Sequence, residues 1–149
     1  MIKYVLEKWN SNKDKLEKFY KDNLDIVKDC SYEYIMKSII DNILNTGIND
    51  SIEKFNSDEI TVVNNCNYSG LILFIFYKEY PEDLENYFVS NIDYGSCSCC
   101  DTLLAAQEQD DEQCIKDIMT ISKDICSNII KIYNDGWRND SNYDPVTMN

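Results

Sequence analysis

Three cysteines fall within four residues: Cys97, Cys99 and Cys100. Cys97 and Cys100 make a C-x-x-C, a spacing that lets two thiolates meet one metal ion or close a small disulfide ring. A structural zinc site needs four ligands, and the chain has no His to supply any. Cys66, in a turn, or Cys114, at the start of a helical stretch, would have to join Cys97 with Cys99 or Cys100. There is no second C-x-x-C. A redox pair needs only Cys97 and Cys100, and such pairs commonly open a helix. The third possibility is that the cluster packs a tight turn, with Cys30 and Cys126 as small buried fillers. All three stand open: one zinc ion, a redox couple, or no cofactor.

Other chemistries fit less well. Without His and without G-x-S-x-G, Ser96 and Ser98 have no Ser-His-Asp site to serve. Asp101 is expected to cap a following helix. The carboxylate runs Glu79, Glu82, Asp83, Glu85 and Glu108, Asp110, Asp111, Glu112 read as solvated acids, because acid/base pairs need a cleft that shifts pKa. The segment Asn139–Asp144 lacks the Gly and terminal Glu of a calcium loop. With only four Gly, the chain has no phosphate-cradling loop. An ordinary hydrolytic enzyme is disfavoured.

Charge narrows the partners. The chain carries 27 acidic and 14 basic residues, a net charge of −13. Residues 1–29 hold seven Lys against six acids, so the excess lies beyond them. Direct nucleic-acid binding requires a basic footprint, and anionic membranes disfavour such a surface. The two acidic runs are the expected binding surface for a protein with a basic face. The amino-terminal residues lack the apolar segment of an export signal, and the longest apolar run, Leu71–Tyr77, is too short to span a bilayer. Seven Cys in that context point to reduced thiols in a cytosol.

The elements that must position these residues read as one α+β domain over 1–134. Residues 1–57 are mainly helical: a face of Val5, Leu6 and Trp9, an interruption at Asn10-Ser11-Asn12, and a second face from Leu16 to Val27. Ser31 caps a third helix, whose stripe is Ile35, Met36, Ile39, Ile40, Ile43 and Leu44. Gly47 stops it. Residues 58–134 carry a three-stranded antiparallel meander at 59–64, 71–77 and 87–93, then a long helix from Ile115 to Tyr133. Residues 135–149 are expected as a mobile polar tail. A sheet this small needs helices on one face.

The stretch Tyr94-Gly95-Ser96-Cys97-Ser98-Cys99-Cys100-Asp101-Thr102-Leu103 resembles the Y-G-S-C-S-G-C-D-x-L signature of small uncharacterised proteins of tailed bacteriophages and prophages. Tyr68-Ser69-Gly70-Leu71 is similar to that family's Y-x-G-[ST]-L segment, and Met119-Thr120-Ile121 to its M-T-L segment. Cys99 stands where the family has Gly, and Asp124 lies nearest the family's His. The resemblance implies a phage protein working in the host cytosol and no particular reaction. Together with the acidity, it gives the expectation of a binding protein that inhibits a host or defence nucleic-acid-binding protein, as an anti-CRISPR or DNA mimic would. The alternative is a zinc-binding or redox-active protein built on Cys97 and Cys100.

Overall fold

A computed structural model describes residues 2–50, 53–64, 70–78, 86–133 and 147–148. Helix α1 spans Ile2–Asp22 without a break. Asn10, Ser11 and Asn12 are poor helix formers, and the sequence places an interruption there. Tertiary contacts override the propensity. Val5, Trp9, Leu16 and Tyr20 share one buried face, and the Asn12 amide donates to the Ile43 carbonyl at 3.0 Å. A short helix α2, Leu24–Val27, follows.

Helix α3, Tyr32–Ile39, starts at Ser31, whose hydroxyl accepts from the Tyr34 amide as expected of a cap. It runs directly into a π-helical turn, Ile40–Leu44, in which the Asn45 amide reaches the Ile40 carbonyl at 2.9 Å. The predicted stripe Ile35, Met36, Ile39, Ile40, Ile43 and Leu44 is buried throughout. Gly47 ends the element at φ 82°, a left-handed conformation that glycine adopts without strain. The Asn45 side chain then grips Phe55, donating to its carbonyl at 2.9 Å and accepting from its amide at 2.8 Å.

Among the described residues the sheet has five antiparallel strands in chain order: β1 Thr61–Val63, β2 Gly70–Phe76, β3 Asn86–Tyr94, β4 Ile130–Tyr133 and β5 Thr147–Met148. The first three are the expected meander. The last two correct the sequence expectation at one point: the long helix α5, Asp111–Ser127, ends at Asn128, and the chain turns back as a strand. Ile130 and Tyr133 fit the helical stripe equally well, but Val89 pairs with Ile130 and Asn86 with Tyr133. Thr147 and Met148, within the expected tail, pair with β4. The rest of that tail lies outside the described residues.

One core joins helices to sheet. Ile72, Phe74, Phe76 and Phe88 point inward, and Phe55 meets Phe88 edge-on at 4.7 Å. Ser90 donates to the Ile125 carbonyl and locks β3 to α5. The fully buried Tyr20 hydroxyl donates to Ser122 at 2.7 Å, and Ser122 donates onward to the Ile118 carbonyl. No described helix is long and apolar enough to cross a membrane.

The Tyr20–Ser122 pair makes an asymmetric prediction. Tyr20→Phe leaves Ser122 bonded to Ile118 and is expected to cost about 1 kcal/mol. Ser122→Ala strands a buried hydroxyl and is expected to cost more, about 1–3 kcal/mol. Urea midpoints of the two variants check the order.

Candidate functional site

The cysteine cluster sits between β3 and a short helix α4, Thr102–Gln107. Three features of the chain force this turn. Cys97 offers its carbonyl to the amides of Cys100 at 2.9 Å and Asp101 at 2.8 Å, closing a tight loop. Gly95 lies so close to Cys100 that a Cβ there would stand 2.5 Å from the Cys100 carbonyl oxygen. No larger residue fits without moving the backbone.

Asp101 is the third feature. It caps α4 by accepting from the Leu104 amide at 3.0 Å, as its place in the sequence suggests. Its role is wider than a cap. The same Oδ1 accepts from the Tyr32 hydroxyl at 2.8 Å, and Oδ2 accepts from the Gly95 amide at 2.9 Å. The carboxyl group belongs to a residue only 5% exposed. Burial pushes the Tyr32 phenol up to about 12, and its hydroxyl in turn accepts from the Leu103 amide. The far end of α4 is held by Gln107, whose amide donates to the carbonyls of Val27 and Cys30, both at 3.0 Å.

On this frame Cys97, Cys99 and Cys100 are all exposed. The Cys97 and Cys100 sulfurs are 3.4 Å apart. The surroundings of the pair favour a thiolate on Cys97. Its thiolate is stabilised by the Cys100 thiol above all, then by the amides of Cys99 and Cys100, and its pKa falls below the usual thiol value. Cys100 moves the opposite way, because its hydrogen bond with Cys97 and the negative charge favoured there both oppose its own ionisation. The helix dipole that serves many C-x-x-C pairs is replaced here by local donors.

Of the other candidate ligands, Cys114 does not join the cluster. Cys114 is fully buried near the start of α5, beside Cys30 and Lys28. Cys66 lies outside the described residues. Among the described residues, no group of three or more Cys, Asp or Glu side chains could hold a metal ion.

Of the acidic surfaces, Glu79, Glu82, Asp83 and Glu85 lie outside the described residues. Glu108, Asp110, Asp111 and Glu112 are exposed around the start of α5. Three of them have structural partners. Asp110 caps α5 through the Gln113 amide at 2.9 Å. Asp111 pairs with Lys28, and Glu112 with Lys116. Negative charge at a helix N-terminus is favourable in itself.

Tyr32 and Gly95 help to hold the turn, a role that sequence reasoning did not assign to them. Tyr32 meets Asp101 across 69 residues, and no local pattern marks it. Gly95 carried a signal: one of only four glycines, it falls two residues before Cys97. No protein-family model matches the chain, and neither a curated protein nor a solved structure matches it significantly.

Asp101→Ala removes a cap and strands two buried donors, so it is expected to cost about 2–4 kcal/mol by urea unfolding. Cys97 should react with iodoacetamide with a pH midpoint below that of an ordinary thiol, about 8.5. Replacing its main donor in Cys100→Ala should move that midpoint back up, as peptide mapping of alkylation rates against pH will show.

Proposed function

We propose that the protein works through Cys97 and Cys100 as a thiol–disulfide redox couple in a reducing cytosol. The observation that supports it is the exposed pair of sulfurs 3.4 Å apart, with the thiolate favoured on Cys97. A thiolate is the attacking species in disulfide exchange. Cys97 attacks one sulfur of a partner disulfide, forming a mixed disulfide and releasing one thiolate. Cys100 then loses its proton and attacks the Cys97 sulfur, releasing the second thiol. Two electrons pass to the partner, and a Cys97–Cys100 disulfide remains. The sulfurs need only close to about 2.05 Å.

A second proposal retains the acidic binding surface. Its support is the net charge of −13 and the exposed carboxylates Glu108, Asp110, Asp111 and Glu112. A partner with a basic face would be steered there, and inhibition of a host or defence nucleic-acid-binding protein is the form this would take for a phage protein. Lys28 and Lys116 already neutralise part of that run, which is why the dithiol is preferred.

The deciding experiment equilibrates the protein in glutathione buffers of graded potential, traps thiols with N-ethylmaleimide and reads intact mass. The expected result is loss of two labels, both from Cys97 and Cys100, with a midpoint inside the cytosolic range of about −220 to −320 mV. Cys97→Ser should abolish the transition and Cys30→Ser should not. Full labelling across the whole range, or a bound zinc ion in the native mass, would sink the redox proposal.

A further inference from the structure

The two faces of the sheet are both apolar, yet the helices cover one. The inner residues Ile72, Phe74, Phe76 and Phe88 belong to the core. The outer ones do not. Val63 is 45% and Leu71 43% exposed. Leu73, Ile75, Val89 and Ile130 keep part of their surface in solvent and join neither the core nor the side chains packed against it. The register makes them contiguous: Val63 lies opposite Leu73, Ile75 opposite Val89, and Val89 opposite Ile130. Antiparallel sheets with one solvated face normally alternate apolar with polar residues. β2 does not.

We infer that this outer face is the docking surface for a second copy of the chain, packed sheet against sheet about a two-fold axis. The first argument is charge. Each copy carries −13, so contact through its acidic surfaces is repulsive. Among the described strand residues that alternate outward, Asp93 is the one charged side chain, at the far end of β3. A basic partner would gain little from a face whose one described carboxylate lies at its end. A second copy presents the same apolar surface, and a two-fold axis sets that surface against itself. The second argument is area. Five strands about 4.8 Å apart, averaging some five residues at about 3.4 Å each, cover about 400 Å² in projection. Two copies lose about twice that before side-chain relief is counted. Side-chain relief adds to that total, toward the roughly 1,200 Å² at which stable interfaces begin. Aligned sheets stack about 10 Å apart with interdigitated side chains.

The test is light scattering after size exclusion, and sedimentation equilibrium over the micromolar range, with reductant present so that thiol-linked dimers do not form. The expected mass is twice the 17.4 kDa of the chain. Added salt should tighten the dimer, because it screens repulsion between the copies. Leu73→Lys should raise the dissociation constant at least ~30-fold, since it buries a charge at the centre of the interface. Should Leu73→Lys fail to fold by circular dichroism, Leu71→Lys, at an exposed position, carries the same expectation. A monomeric wild type, a dimer that dissociates in salt, or a dimer indifferent to the folded Lys variant would overturn the inference.

Discussion

The geometry of the cysteine turn depends on one buried carboxylate. Asp101 accepts from a phenol, a helix-capping amide and a strand-exit amide. A carboxylate withdrawn from water is unfavourable unless donors replace the lost hydration. Here the donors come from three separate segments. The desolvation cost therefore becomes a constraint on their relative positions: the end of β3, the start of α3 and the first turn of α4 must converge on the same two oxygens. The loop between Gly95 and Asp101 is thereby fixed at both ends, and the Cys97 carbonyl closes it from within. Because this frame lies beneath the turn, the thiols can be exposed and still be held in register.

Seven cysteines in one chain invite a single explanation, and burial supplies two. Cys126 is buried in α5, and burial alone pushes its thiol up to about 12. Burial likewise holds the Cys30 thiol up at about 11 and raises that of Cys114. These three stay protonated at neutral pH and act as small apolar groups. Cys97 is exposed, so desolvation has little weight there, and the neighbouring donors decide the direction. The chemical division follows from position in the fold, which composition and spacing cannot express.

Local signals were legible where local physics decides. The Ser31 and Asp101 caps, the glycine stop at residue 47, the apolar stripe of α3 and the order of the first three strands all follow from interactions within a few residues. The failures share one cause. Asn10-Ser11-Asn12 is a weak helix segment that Trp9 and Leu16, buried on either side, hold in register. At the end of α5 the spacing of Ile129, Ile130 and Tyr133 satisfies a helical stripe. Ile130 and Ile132 also alternate as a strand, and only the available edge of β3 chooses between the two. The Asn128 side chain marks the switch, donating to the Asn91 carbonyl on β3 at 3.0 Å. The Tyr32–Asp101 bond, on which the site rests, joins residues too distant for any pattern to link.

The sheet shows why its central strand read as a continuous apolar run. In β2 both sets of alternate residues are apolar, Ile72, Phe74 and Phe76 on one side and Leu71, Leu73 and Ile75 on the other. Only the first set has helices to pack against. Such a strand belongs to a sheet covered on both faces, and the chain spends its described helices on one. Acidic residues elsewhere make copies repel one another, but the described outer face is nearly free of charge and cannot share in that effect. The same composition that makes acidic surfaces repel one another thus leaves the sheet as the surface where approach is least opposed.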